Sequence, residues 1–361
     1  MIEKYLRQTI DEFNPYHEFK RMTYEDGVLL IAAMKFYQLT NDSYYFNFLK
    51  RYLEAHIDES GVIVNYHPEE YNIDNILAGN VLFFMYDLTK DKRYKLAIES
   101  LRGQLKTHPR TDSKSFWHKL RYPNQIWLDG LYMGQIFYLR YGYETEDEYI
   151  ADDVMNQIEN VRKYLFDEKK RLYFHAYDEK KIMQWANRET GRSPNVWSRA
   201  VGWFAMALVE IYDIFLFKDN TKAKRVAALL SELLEGMLPY RDKTYSMWYQ
   251  LVEFPDLAGN YLETSGTAML AFSMLKGARL KMLDPKFQKI GIETLKGIEN
   301  KYLREEDGKL ILGGTCQVAG LDNERRDGSI YYYLSEKVVE NEIKGLAPYF
   351  YCYSELLRIK K

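Results

Sequence analysis

Two cysteines, Cys316 and Cys352, are all that 361 residues contain, so neither a disulfide framework nor a four-thiolate metal site is available. Glycine and proline are scarce, at 21 and 9 residues, against roughly 12% together in average usage. So few backbone breakers in a long chain favour helices over many short strands. A surplus of one charge is missing too: 50 Lys plus Arg stand against 52 Asp plus Glu, a net of −2. Nothing basic is left over for a nucleic acid. The longest apolar runs, such as Val28 to Met34, fall far short of the ~20 residues that span a bilayer. Met1 to Arg7 has no apolar signal-peptide core, so the expectation is a cytoplasmic protein with no membrane and no nucleic acid as partner. No Gly-x-Gly-x-x-Gly, P-loop or Gly-x-Ser-x-Gly occurs, which leaves dinucleotide and serine-hydrolase chemistry without support.

What is present is a large apolar and aromatic content: 47% hydrophobic residues, with 32 Tyr, 18 Phe and 6 Trp. A pattern recurs six times, a short polar or aromatic lead-in followed by an apolar helical stretch and a brief turn. The copies begin at Tyr24-Glu25-Asp26-Gly27, Asn72-Ile73-Asp74-Asn75 and Trp127-Leu128-Asp129-Gly130. The later three begin at Arg199-Ala200-Val201-Gly202, Glu263-Thr264-Ser265-Gly266 and Ile343-Lys344-Gly345. Between them lie amphipathic stretches at about 43–56, 91–106, 147–166 and 286–303, another near 2–13, and one carrying the stripe Val226, Leu229, Leu230, Leu233, Leu234, Met237. That stripe has the i, i+3, i+4, i+7 spacing of one buried helix face. Six inner and six outer helices describe an all-α fold, an (α/α)6 barrel in a single domain over 1–361. A helical solenoid would repeat more evenly.

The turns that leave the inner-type helices are short, while the connections into them, 57–73, 107–126, 167–198, 239–262 and 304–342, are long. All would gather at one end of the barrel, at helix N-termini, where function concentrates and anions are favoured. The six tryptophans, Trp117, Trp127, Trp185, Trp197, Trp203 and Trp248, fall in those connections or the first turn after them. As a set they suggest aromatic platforms of the kind on which sugar rings stack; singly, each is equally well a core residue capping the mouth. Asp129 and Asp74 occupy corresponding positions, at the start of adjacent inner helices. Each could serve as no more than a helix cap, yet together they could face the axis as acid and base. His118 and His175 have no metal-ligand spacing, so no metal and no cofactor is expected. Arg199 would present a planar fork to a carboxylate, on a substrate or within the protein.

The runs Phe116-Trp117-His118-Lys119 and Gln125-Ile126-Trp127-Leu128-Asp129-Gly130-Leu131-Tyr132-Met133 resemble the unsaturated rhamnogalacturonyl hydrolases of glycoside hydrolase family 105. So do His175-Ala176-Tyr177-Asp178-Glu179, Trp185-Ala186-Asn187, Trp197-Ser198-Arg199-Ala200-Val201-Gly202-Trp203, Trp248-Tyr249-Gln250 and Leu262-Glu263-Thr264-Ser265-Gly266, in the same order. Ile343-Lys344-Gly345-Leu346-Ala347-Pro348 departs from the family's more glycine-rich turn. The resemblance implies an (α/α)6 barrel that removes a Δ4,5-unsaturated uronic acid from the non-reducing end of lyase-generated pectin (rhamnogalacturonan) oligosaccharides. It implies hydration of the enol ether, with Asp129 as general acid and base and Asp74 as the second carboxylate. Tyr24, His118, Lys119 and Met133 match pocket positions; so do His175, Trp197, Arg199 and Trp203, with Trp127 beside them. Burial among Trp127, Met133 and Asp74 is expected to raise the pKa of Asp129. Three alternatives stand beside this reading. One is an unsaturated glucuronyl hydrolase acting on glycosaminoglycan or ulvan fragments. Another is an ordinary inverting glycosidase with Glu263 or Asp178 as the second acid, and the last is a sugar-binding protein without catalysis.

Overall fold

Apolar residues at helical spacing fold as expected in the computed structural model, which describes residues 1–15 and 21–360. Its α-helices are α1 (Ile2–Glu12), α2 (Tyr24–Thr40), α3 (Ser43–His56), α4 (Gly79–Thr89), α5 (Lys92–Thr107) and α6 (Leu128–Glu144), then α7 (Glu148–Leu165), α8 (Ser198–Phe215), α9 (Asn220–Met237), α10 (Thr264–Arg279), α11 (Lys286–Tyr302), α12 (Ile330–Ser335) and α13 (Ile343–Ile359). Two classes are visible in their burial. In α8 every residue except Glu210, Asp213 and Ile214 is buried, as befits a helix enclosed on all sides. In α9 the buried set is the stripe read from the sequence together with Ala223 and Gly236.

The inner helices α2, α4, α6, α8, α10 and α13 pack each against the next, and α13 returns to α2, closing a ring. Each carries an outer partner, α3, α5, α7, α9, α11 and α1 respectively. The closure is a polar as well as an apolar contact: Tyr351 of α13 donates its hydroxyl proton to the Val28 carbonyl of α2 at 2.6 Å. Close helix approach also selects residues. A Cβ on Gly266 of α10 would lie 2.6 Å from the Ser198 carbonyl carbon of α8, so only glycine fits that crossing.

The all-α expectation omits four short antiparallel pairs. These are β1 (Gln125–Trp127) with β4 (Ala176–Asp178), β2 (Phe166–Asp167) with β3 (Leu172–Tyr173), β5 (Leu303–Glu306) with β6 (Lys309–Leu312), and β7 (Thr315–Cys316) with β8 (Val338–Val339). Strands of two to four residues show no alternation to read, and β1 and β7 pair with segments far along the chain. The second inner helix starts at Gly79, later than the sequence suggests, because a 3-10 turn at Ile73–Ile76 precedes it. Among the described residues no helix is long and apolar enough to cross a membrane.

Candidate active site

Each long connection is stitched by backbone hydrogen bonds to the start of an inner helix, and this is what assembles the site. His118 passes its carbonyl to the Ile73 N–H, 3.2 Å away, so His118 and Lys119 lie beside the turn that carries Asp74. The β1–β4 pair sets Trp127 opposite Ala176, and Leu128 N–H reaches the His175 carbonyl at 3.1 Å. That brings His175 against Asp129 at the start of α6. Ser198 N–H reaches the Gln250 carbonyl at 3.1 Å, and Thr264 N–H reaches that of Gly314 at 2.8 Å, which orders the starts of α8 and α10.

Neither aspartate is a cap. Asn72 accepts the Asp74 N–H at 3.1 Å, and the cap position of α6 is Trp127, so both carboxylates are released from that duty. They face one cavity of about 170 Å³, room for a single sugar ring, whose wall also includes the apolar Trp127, Met133, Trp197 and Trp203 and the polar Tyr24, His118, Lys119 and Arg199. A larger cleft of about 680 Å³ shares Tyr24, Glu25, Asp74, Lys119 and Arg121 with it. Of the tryptophans, then, three wall the cavity. Trp248 is core, donating its indole N–H to the Met237 carbonyl at 2.8 Å; Trp185 packs behind Trp127, and Trp117 lies outside the cavity wall.

The charges are mostly paired. Asp74 Oδ2 meets Lys119 Nζ at 2.5 Å, with His118 Nε2 3.7 Å from its other oxygen. Burial holds His118 down to about 4 in spite of Asp74, so it is neutral at pH 7. Its ring stacks on Trp127 at 4.5 Å. Arg199 is 2% exposed, donates to Ser265 Oγ at 2.6 Å and to the Cys316 carbonyl, and lies 3.6 Å from Glu263. The carboxylate facing its fork is therefore one of the protein's own, although Arg199 still lines the cavity.

Asp129 differs. Its Oδ2 lies 3.3 Å from His175 Nε2, but without an aligned hydrogen bond, and both atoms are buried with no other partner. Behind them, His175 Nδ1 contacts the Tyr333 hydroxyl at 2.7 Å. Burial pushes the Asp129 pKa up, as the sequence led one to expect, but contact with His175 and the His118 ring outweigh it and the net direction is down. That expectation is corrected: the free protein holds Asp129 as a carboxylate. His175 is also relocated; it stands behind Asp129 and not in the cavity wall.

Glu263 and Asp178, the acids an inverting glycosidase would want, are both spent. Glu263 accepts from Ser265, Gly266 N–H and Cys316 N–H. Asp178 accepts backbone N–H groups of Lys180, Ile182 and Met183. Neither lines the cavity. Tyr333 and the segment Val318-Ala319-Gly320 with Arg326, which closes one side of it, went unread in the sequence. The triple tyrosine 331–333 in the longest connection was the only local sign. Among the described residues no group of three or more His, Cys, Asp or Glu could hold a metal ion.

Comparison with known proteins places this geometry. A family model described as Glycosyl Hydrolase Family 88 matches residues 1–360. A glycoside hydrolase from family 105 of C. acetobutylicum ATCC 824 superposes with a TM-score of 0.93 at 38% identity, covering 98% of each chain. The unsaturated rhamnogalacturonyl hydrolase YesR of Bacillus subtilis is 24% identical over 343 residues, 93% of this chain and 89% of that one. The unsaturated glucuronyl hydrolase of Bacillus sp. GL1 shares the fold, with a TM-score of 0.70 at 16% identity over 100% of this chain and 96% of that one.

Proposed function

The chain belongs to Glycosyl Hydrolase Family 88 and stands with the family 105 glycoside hydrolases, and from that premise we propose that it removes a Δ4,5-unsaturated uronic acid, galacturonyl in type, from the non-reducing end of rhamnogalacturonan oligosaccharides. In this reading the whole chain 1–361 works as one (α/α)6 barrel. The observation that carries the reading is the pair of buried atoms Asp129 Oδ2 and His175 Nε2, 3.3 Å apart with no aligned hydrogen bond and no other partner, at a cavity of one-sugar size. Buried polar atoms without partners are costly, and a substrate that supplies the missing partner recovers the cost. The sugar class is drawn from YesR, a relative matched over 93% of the chain.

The chemistry follows from the charge on Asp129. As a carboxylate it takes a proton from a water molecule; as a carboxylic acid it delivers one to carbon. The uronate ring carries its own negative charge into the cavity and displaces water, and both effects raise a neighbouring carboxyl pKa. Binding the substrate therefore moves Asp129 toward the protonated form that hydration needs. The proton goes to C4 and hydroxide from water to C5. The resulting hemiketal opens to a C5 ketone, and the hemiacetal left at C1 expels the aglycone. Asp74, fixed by Lys119, receives sugar hydroxyls, and Trp127, Trp197 and Trp203 supply apolar faces for the ring.

The test is where solvent goes. Reaction in heavy water is expected to place deuterium at C4, and labelled oxygen from water to appear at C5. Label confined to the anomeric carbon, with the double bond intact, would mean ordinary glycoside hydrolysis. No turnover of any unsaturated disaccharide, with sugar binding retained, would leave a binding protein.

A further inference from the structure

Pairing off the charges around the one-sugar cavity leaves a remainder. Lys119 is matched by Asp74 at 2.5 Å and Arg199 by Glu263 at 3.6 Å. Glu25 lies 3.5 Å from Lys344, a lysine it shares with Glu342 at 2.5 Å. Asp129 has His175. Two guanidinium groups in the wall, Arg326 and Arg121, have no carboxylate within 4.0 Å among the described residues. Arg121 lies over the Tyr122 ring at 4.8 Å and also borders the larger cleft. Arg326 borders the inner cavity and not that cleft.

Arg326 is also held in place. Its carbonyl accepts the Asp322 N–H at 2.9 Å. Asp322 Oδ1 in turn takes the N–H groups of Glu324, Arg325 and Arg326 at 2.8–3.0 Å, so this nearby carboxylate is engaged with backbone. Gly320 makes the room: a Cβ there would stand 2.9 Å from Arg326 Nη1 and 3.7 Å from the Trp127 ring. Gly320 N–H is itself fixed by the Tyr332 hydroxyl at 2.9 Å. The guanidinium thus lies beside the Trp127 ring, on a closed turn, with no carboxylate within 4.0 Å among the described residues and with Asp322 feeling its charge only from farther away.

We infer that Arg326, with Arg121 at the rim, is the residue that reads the carboxylate of the terminal sugar, while Arg199 and Lys119, whose charges are already neutralised, position side chains and donate hydrogen bonds. The inference rests on the proposed function. It makes the 317–329 segment the specificity element for acidic over neutral sugars. A planar guanidinium facing a carboxylate in a partly dry cavity is the geometry in which charge-assisted pairs are strongest.

The experiment compares one unsaturated galacturonyl disaccharide as free acid and as methyl ester, by loss of enol-ether absorbance. Arg326→Gln is expected to raise KM for the acid roughly 10- to 100-fold and to leave KM for the ester within about twofold. Arg326→Lys restores part of the preference, and Arg121→Gln shows a smaller loss of the same kind. Equal loss on acid and ester, or an unchanged preference with normal folding by circular dichroism, overturns the assignment. Failure of the underlying reading is distinct: the unsubstituted protein would then turn over neither compound, and the inference falls with it.

Discussion

At the C-terminal end of the inner helices, Lys35 of α2 and Lys276 of α10 converge on Glu210 of α8, at 2.9 and 2.6 Å, and Lys276 also reaches Asp213 at 2.7 Å. None of these side chains leaves a buried polar atom without a partner. Burial pushes the Glu210 pKa up, and the two lysines more than reverse it, holding it at about 2. At the N-terminal end Asp129, His175 and His118 are just as deeply buried, yet each keeps an atom with no partner. The fold can afford charge in both places, but only one place is complete without a ligand. The distal cluster is a closed ion network that fixes three helices relative to one another. The proximal one keeps buried polar atoms without an aligned hydrogen bond, as the proposed site requires.

Asp129→Asn should break this contrast most strongly. The amide keeps the shape but moves no proton, a loss of about 10²–10⁴ in turnover. Because contact with His175 favours the charge in spite of burial, a modest fall in melting temperature is expected, with the variant still folded. Near-normal turnover of the folded variant removes Asp129 from the mechanism. The mirror experiment is Glu210→Gln, which leaves Lys35 without its carboxylate and Lys276 with Asp213 alone. Breaking a buried pair costs about 3–5 kcal/mol, read from urea denaturation, while kcat of the folded fraction stays unchanged. If Glu210→Gln loses activity and not stability, the division of labour between the two ends is wrong.

How far this division could be read from sequence differs by residue. The ring was legible, because helices enclosed on all sides carry apolar residues all round, and the outer stripe at Val226 to Met237 carries them on one face. Asp74, Asp129, His118 and Lys119 were legible as candidates because they sit in or next to the turns that open inner helices. Their pairing was not. Nothing local in the chain says that Glu263 will neutralise Arg199, or that His175 will outweigh burial at Asp129, since these contacts join separate connections across the mouth. Arg326 and Tyr333 lie in a segment with no periodicity, and their place depends on the short β7–β8 pair and on the turn that Asp322 closes.

Acid should separate the two ends. Burial holds His118 and His108 at about 4 in the folded protein, below the ordinary 6.5. Above pH 6.5 neither state binds a proton there and stability is unaffected. Between 6.5 and 4 the unfolded chain takes up protons that the folded one refuses, so stability falls, by about 3 kcal/mol for each histidine, and levels off below 4. Glu210 keeps its charge throughout that window. Urea midpoints measured across it should decline, and His118→Gln should flatten the decline. A slope unchanged by His118→Gln would assign the acid sensitivity elsewhere.

The smallest expected effect is the most diagnostic of what stands behind Asp129. Burial raises the Tyr333 pKa well above its ordinary value, so the hydroxyl keeps its proton and can donate it to His175 Nδ1 at 2.7 Å. That donation fixes the tautomer with the proton on Nε2, the nitrogen facing the Asp129 carboxylate. Without it, the opposite tautomer would turn a lone pair toward the carboxylate. Tyr333→Phe should therefore cost about 1 kcal/mol of transition-state stabilisation, roughly tenfold in kcat/KM or less. It should also raise the Asp129 pKa, because a carboxylate that loses a donor is easier to protonate. In the proposed mechanism protonated Asp129 delivers hydrogen to C4, so activity is expected to fall as pH rises through that pKa. The alkaline limb of the pH–rate profile should move upward. A role confined to packing would lower the melting temperature and leave that limb where it was. A limb that moves down would mean that Tyr333 accepts from His175, and that the proton facing Asp129 is not on Nε2.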